Sequence, residues 1–399
     1  MTDKPLSQTE FVALMAMLFA TIALSIDAML PALPRIAATL SPGAPNAAQL
    51  VITSFVLGMG MGTLFTGPLS DRFGRKPVIM AGAGVFALAG VACYLAPTLE
   101  SLLVARLVQG IGAAAPRTVS LAMIRDLFAG REMARLMSFV MMVFTAVPAI
   151  APLMGQGIIA LAGWQAIFLA LIAFAGFTML WLGLRQPETL PPARRRALHL
   201  GSLVAATREL GRHRIVLVSI LLQALTLGAL FATLSSIQPI FETVHHRADS
   251  FPLWFALIAV ASMSGSFLNS RVVMSLGMRR VVRATYAAQL GLTLAALVLL
   301  GMLDGNLAFA VQVAWAIGLF AMMGLTMGNL NALAMEPVGH IAGLAASVIS
   351  ALGTVGSVLL AIPVGLAFDG SAVPLLVGVA VLIGLALLLS LKALGEARD

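Results

Sequence analysis

With 399 residues, of which 60% are hydrophobic and only 10% charged, the chain has too few ionised groups to coat a water-soluble domain, which uses about 25%. A soluble enzyme or binding module is therefore excluded, and the composition reads as an all-α polytopic membrane protein. The single cysteine, Cys93, excludes an intrachain disulfide and reads as apolar packing, while the net charge of +8 calls for a topological explanation.

The first ten residues are short and mixed in charge. The apolar run after them is too long for a signal-peptide core and no cleavage site follows it, so an uncleaved first span is expected. At about 20 apolar residues per crossing, hydrophobic runs predict twelve spans, over 10–34, 47–69, 78–97, 100–122, 136–161, 164–184, 214–240, 252–270, 281–303, 306–333, 339–366 and 372–392. The longest polar stretch, 185–213, contains PETLPPARRRALHL. It separates an N-terminal six-helix bundle (1–184) from a C-terminal one (214–399), a repeat arrangement used by secondary transporters.

Twelve spans put both termini on one side. Of the 24 Lys and Arg residues, Arg35 and Arg247 fall in the opposite loops and Arg106 and Arg117 within spans. The other 20, among them Lys4, Arg196 and Arg398, lie in the even-numbered connections and the termini. The positive-inside rule makes that face cytoplasmic. Since the basic residues sit in short loops at one membrane face, no nucleic-acid partner is expected; lipid is.

Within the spans one acid stands out. Asp27 is the only charge between residues 11 and 34, and an Asp near the bilayer centre costs about 2.5–3.5 kcal/mol on insertion scales. Such a group reads as a proton or ion site, with capping of the kink at Pro31 and Pro34 as the alternative. A carboxyl that alternates between a desolvated pocket and a cation can load a proton in one and release it in the other. In span four, Arg106, Gln109, Ala113 and Arg117 return to one helical face. They form a polar stripe that must avoid lipid. Arg106 reads as a fixed charge tuning Asp27 or as a donor to helix carbonyls, and Arg117 as a cavity residue or a snorkelling one.

The loop after span two reads GPLSDRFGRKP, residues 67–77. Gly67 allows close helix approach, Asp71 is placed to pair with a basic group or a helix N-terminus, Gly74 permits a turn, and Arg72, Arg75 and Lys76 anchor at the anionic leaflet. This segment resembles the signature loop of the major facilitator superfamily, G-x-L-[AS]-D-R-x-G-R-[KR], at every position. Asn269, Ser270, Arg271, Leu276, Gly277, Arg279 and Arg280 form a degenerate echo without the acid. The resemblance implies that the loop stabilises the outward-open state, with the latch stronger in the first half.

SIDAMLPALP (25–34) and RLVQGIGAAAPR (106–117) resemble the first- and fourth-helix motifs of the twelve-span drug:proton antiporters. AVPAIAPLMGQ (146–156), with Pro148, Pro152 and Gly155, resembles the antiporter motif of helix five, although Ala151 and Gln156 stand where glycines are usual. With MIRDLF (123–128) and GWQAIF (163–168), the pattern is most similar to bicyclomycin/chloramphenicol-type multidrug efflux proteins. This implies the major facilitator fold and proton-coupled efflux of amphiphilic drugs by a monomer in the bacterial inner membrane. The expected cavity comprises Asp27, Leu30, Arg106, Gln109, Ala113, Arg117, Gln223, Phe231 and Trp315, with proton coupling at Asp27 and Arg106. Transport of one metabolite, such as a sugar or amino-acid derivative, is the alternative.

The remaining polar residues carry less. Gln223, Gln238, Gln289, Gln312, Asn329 and Asn331 read equally as links between helices, and Phe231 and Trp315 as core packing. Glu336 and His340, a turn apart around Pro337, are placed at the cytoplasmic end of spans ten and eleven. His245 and His246 read as solvated loop rather than metal ligands, and no metal site is expected. The absence of G-x-x-x-x-G-K-[ST] points to an ion gradient rather than ATP or any cofactor.

Overall fold

In the computed structural model residues 6–195 and 200–395 are described. Lys4, Arg196 and Arg398, counted above in the charge balance, lie outside them. Eleven segments are long and apolar enough to cross a membrane. One of these, Gly305–Leu366, is 62 residues long and comprises two helices, so the described residues supply twelve spanning helices.

The chain divides after Leu203 into two compact units. In the first, α1 (Gln8–Asp27) and the short α2 (Leu33–Leu40) are followed by α3 (Leu50–Phe73), α4 (Arg75–Tyr94), α5 (Leu99–Leu127), α6 (Gly130–Ala162) and α7 (Ala166–Arg185). Helix α8 (Leu200–Arg212) runs across the division. The second unit then contains α9 (Arg214–Pro239), α10 (Phe251–Leu276), α11 (Met278–Leu300), α12 (Gly305–Met335), α13 (Ala342–Leu366) and α14 (Val373–Ala393).

The two units repeat one packing scheme. In the first, α1 packs on α5, α6 and α7, α3 on α5, and α4 on α5 and α7. In the second, α9 packs on α12, α13 and α14, α10 on α12, and α11 on α12 and α14. Each spanning helix of the first unit thus has a counterpart six spans later, as expected of an internal repeat. The first unit's interior forms around Phe11, Leu14, Met15 and Leu18 of α1, which meet Ile79, Met123, Val140 and Leu182 from four other helices. Its α1 is also tied at the start, where Glu10 accepts from Trp181 Nε1 and from both Nε and Nη2 of Arg185.

Hinge positions are repeated too. Gly74 (φ 104°) joins α3 to α4 and Gly277 (φ 78°) joins α10 to α11. A left-handed turn at both sites favours glycine. The connection between α12 and α13 is a 3-10 turn, Glu336–Ile341, and His340 Nε2 there lies 2.8 Å from Glu209 of α8.

Candidate functional site

The first span is not a continuous helix over 10–34. Helix α1 ends at Asp27, and the chain passes through a 3-10 turn, Leu30–Ala32, into α2. Pro31 explains the break: it lacks the N–H that would bond the Asp27 carbonyl four residues back, and its ring would clash with that oxygen. Asp27 therefore sits at a helix break, not along a helix shaft. It is 5% exposed, and its carboxylate makes no hydrogen bond or ion pair among the described residues. The capping alternative is thus not what the side chain does here. Leu30, three residues on, is fully buried.

Arg106 is completely buried in α5. Its Nη2 donates to Ser25 O of α1 at 3.0 Å, its Nε to Val51 O of α3 at 3.2 Å and its Nη1 to Gln109 Oε1 at 2.8 Å, while the guanidinium lies 4.3 Å from the centre of the Phe55 ring. One side chain therefore joins three helices. Its charge is spread over three oxygens and an aromatic face, and no ion pair with Asp27 is present. The link between them is indirect: the carbonyl that Arg106 holds is two residues before Asp27. Gln109 Oε1 also accepts from Cys93 Sγ at 3.8 Å, and its Nε2 is buried without a partner. Ala113 is buried, and Arg117 is half-buried with no hydrogen bond or ion pair from its guanidinium among the described residues.

The helix-five motif acts on this same break. A side chain at Gly155 of α6 would run into the Ala28 carbonyl, immediately after Asp27. Only glycine allows that approach. Ala151 and Pro152 beside it are buried, and Pro148 is half-buried. Gly110, in the α5 motif, allows a comparable approach to the Phe55 carbonyl.

The loop 67–77 carries a second constellation. Arg75 Nη1 bonds Asp71 Oδ1 at 2.5 Å and Ser70 Oγ at 2.7 Å, while its Nε bonds Asp126 Oδ2 at 2.9 Å. Ser70 in turn donates to Gly67 O. The start of α4 is capped by Glu188 from the segment after α7. Its carboxylate accepts from the backbone of Arg75 (2.9 Å), Lys76 (3.1 Å) and Leu190 (2.9 Å). Thr189 Oγ1 donates to Asp126 and Lys76 Nζ to Gly183 O. Arg72 is exposed over Phe73. Of the two partners open to Asp71, it takes the basic group; the helix N-terminus belongs to Glu188. Neither Asp126 nor Glu188 was singled out from sequence. The available signal was an acid within MIRDLF and another just after span six.

In the second unit Gln223 of α9 is buried with its Nε2 unpartnered, and Phe231 is buried. Trp315 of α12 is buried and donates from Nε1 to Thr293 Oγ1 of α11 at 3.1 Å, so the ring is held within this unit. Asn329 Nδ2 donates to Asn269 Oδ1, a link between α12 and α10, whereas Asn331 is exposed. His245 differs from its reading as solvated loop: its ring is half-buried between Phe241 and Phe309. Among the described residues no group of three or more His, Cys, Asp or Glu is placed to hold a metal.

Known proteins carry the same organisation. The Major Facilitator Superfamily profile matches residues 14–361. The chain is 31% identical to the MFS-type transporter YdgK of Bacillus subtilis, over 82% of both chains. It is 30% identical to the bicyclomycin resistance protein homolog of Haemophilus influenzae, over 87% of both. Against the multidrug resistance protein MdtL of Klebsiella pneumoniae it is 31% identical, over 74% of this chain and 78% of that one. Among solved structures, the D-xylose-proton symporter superposes with a TM-score of 0.76 at 17% identity, over 98% of each chain. The human organic anion transporter MFSD10 superposes with a TM-score of 0.67 at 18% identity, over 96% of this chain and all of that one. Those two likenesses establish the fold. Together with the repeated six-helix packing, the intact signature loop and relatives matched over most of their length, they place this chain in the major facilitator superfamily, as a multi-pass membrane transporter.

Proposed function

We propose that this transporter exports neutral or amphiphilic drugs, amphenicol-like antibiotics among them, from the bacterial cytoplasm in exchange for protons. In this reading it is a monomer in the inner membrane with both termini cytoplasmic. The observation that carries the reading is Asp27: a carboxylate buried at a helix break in a span, with no cation paired to it among the described residues. Such a group is costly to keep in a membrane and marks ion or proton pathways. Arg106, anchored to the carbonyl two residues earlier, is the fixed charge that senses it. The relatives named for bicyclomycin and multidrug resistance support efflux as the direction and drugs as the class.

Charge argues for the substrate. The first unit offers one buried acid against buried Arg106 and half-buried Arg117. A fixed dication would meet a net positive formal charge in a weakly screening site. A neutral ligand with hydroxyl, amide or nitro acceptors can accept hydrogen bonds there while its apolar body fills the cavity. Exchange of one proton for one neutral ligand would be electrogenic. The test is pH-gradient-driven chloramphenicol transport in proteoliposomes. Asp27→Asn is expected to insert normally but lose concentrative transport; near-normal accumulation by that variant would remove Asp27 from coupling. Competition by dicationic compounds stronger than by amphenicols would overturn the charge argument.

A further inference from the structure

The two arginines inside α5 are used unequally. Arg106 has an acceptor for each of its three nitrogens, Ser25 O, Val51 O and Gln109 Oε1. The Nε2 of Gln109 is sealed from solvent. Neither side chain is therefore free to meet a solute. Arg117 has no hydrogen bond, ion pair or ring contact from its guanidinium among the described residues, although that group carries five donors. It is half-buried, so part of it stays within reach of a solute.

Its depth rules out the membrane surface. Helix α5 has 29 residues, with Glu100 near its start and Arg125 near its end. It is about 44 Å long, with Ala113 at its middle. Arg117 is about 6 Å past that middle, whereas the hydrocarbon boundary is about 15 Å from it. The helix runs toward the signature loop, where Asp126 meets Arg75. Helical side chains lean toward the start of their own helix, so this one leans toward the bilayer centre and away from that end. The headgroups are thus too far for snorkelling.

Its direction rules out lipid. At about 100° per residue, Arg117 returns to within about 20° of Arg106, on the face that Arg106 turns to Ser25 of α1 and Val51 of α3. Val104 and Val108, apolar and 65% and 38% exposed, occupy the opposite face. Between these faces α3 packs on Leu107 and α4 on Gly112. An unpaired guanidinium at this depth must face water or protein rather than lipid, and among the described residues no protein group takes it. Nor does an acid neutralise it. Asp27 lies near the level of Arg106, about 16 Å from the Arg117 backbone along α5. The other described acids of this unit stand at helix ends or in loops, and Asp126, the nearest in sequence, is paired with Arg75.

We propose that Arg117 is the residue through which the first unit selects its substrate, its guanidinium fork holding the nitro group of a neutral amphiphile by two parallel hydrogen bonds. A nitro group has the planar pair of oxygens of a carboxylate without its charge, and that outline fits a guanidinium and not an ammonium. Arg106 then serves the helices and Arg117 the ligand. The inference rests on the reading of the chain as a drug exporter and names the group on the drug that is recognised.

The test uses the purified full chain in nanodiscs. Radiolabelled chloramphenicol is displaced by unlabelled chloramphenicol and by its 4-amino analogue, which lacks the nitro oxygens. The parent protein should bind the nitro compound about tenfold more tightly than the amine, the loss of one charge-assisted contact. Arg117→Gln should bind chloramphenicol about tenfold more weakly and lose the preference, and Arg117→Lys should keep a preference of under about threefold. In a Cys93→Ala background, Arg117→Cys should react with a membrane-impermeant thiosulfonate and be protected by chloramphenicol, which a merely structural residue would not be. Because Arg117 has no partner to lose, all three variants should keep the parent size-exclusion profile. If the parent binds no chloramphenicol, the drug-export reading falls and this inference with it. If the parent binds but Arg117→Gln or Arg117→Lys retains the full preference, or Arg117→Cys does not react or is not protected, this inference alone is overturned. Loss of the folded profile in all three variants would show a structural role and overturn it as well.

Discussion

Glu188 offers a sharp test of how the signature loop is held. Its carboxylate accepts from three backbone N–H groups, two of them in the first turn of α4. Replacing a side-chain cap with alanine costs about 1 kcal/mol, and loss of a carboxylate at a helix N-terminus about 0.3–1 kcal/mol more. The third donor, Leu190 N, loses a partner worth about 1 kcal/mol. Because Glu188 is half-buried, water recovers part of this, and Glu188→Ala should destabilise the local structure by about 2–3 kcal/mol. Glu188→Gln keeps an acceptor oxygen and should cost about 1 kcal/mol. The assay is hydrogen exchange in nanodiscs at the Arg75 and Lys76 amides, followed by mass spectrometry. At 1.4 kcal/mol per factor of ten, the alanine variant should exchange roughly 30- to 140-fold faster there, and the glutamine variant roughly fivefold. Amides near α9 should be unaffected. Exchange within about threefold of the parent protein at both positions in Glu188→Ala would show that water caps α4 as well as the carboxylate does.

Three further outcomes follow from the same geometry. Arg106→Lys keeps the charge, but a single ammonium cannot serve Ser25 O, Val51 O and Gln109 Oε1 together; a loss of about 2–4 kcal/mol in denaturation is expected from the stranded oxygens, and unchanged stability would refute the three-helix clasp. Gly155→Leu, against the Ala28 carbonyl, should cut the yield of folded protein sharply in size-exclusion profiles, whereas Gly157→Leu, where a side chain meets open space, should not. Arg75 should depend more on Asp126 than on Asp71, because their side chains are 20% and 41% exposed. Double-mutant cycles with Arg75→Gln should give about 1–3 kcal/mol for the first pair and under about 1 kcal/mol for the second, with the reverse order counting against the burial argument.

Much of this protein is decided by the chain alone. Hydrophobicity is a one-dimensional property in a bilayer, so run length and loop charge suffice for twelve spans and two halves; even the 62-residue apolar segment resolves once Pro337 is allowed its turn. A lone acid in a span, an arginine stripe and an intact signature loop are equally visible, because each is anomalous against its neighbours. The break at Asp27 was also within reach, since Pro31 removes the bond to that carbonyl by local sterics. What tertiary structure decided is which partner each polar group takes. Arg106 reads either as a fixed charge beside Asp27 or as a donor to helix carbonyls, and only the fold shows that it holds carbonyls 81 and 55 residues away. The cap on α4 comes from Glu188, 113 residues from Arg75, and the setting of His245 requires Phe309 from another helix. Such choices rest on competition among oxygens, rings and carboxylates at hydrogen-bond range. Backbones that glycines such as Gly110 and Gly155 bring into contact determine which competitors arrive within that range, and no local pattern along the chain encodes that distance.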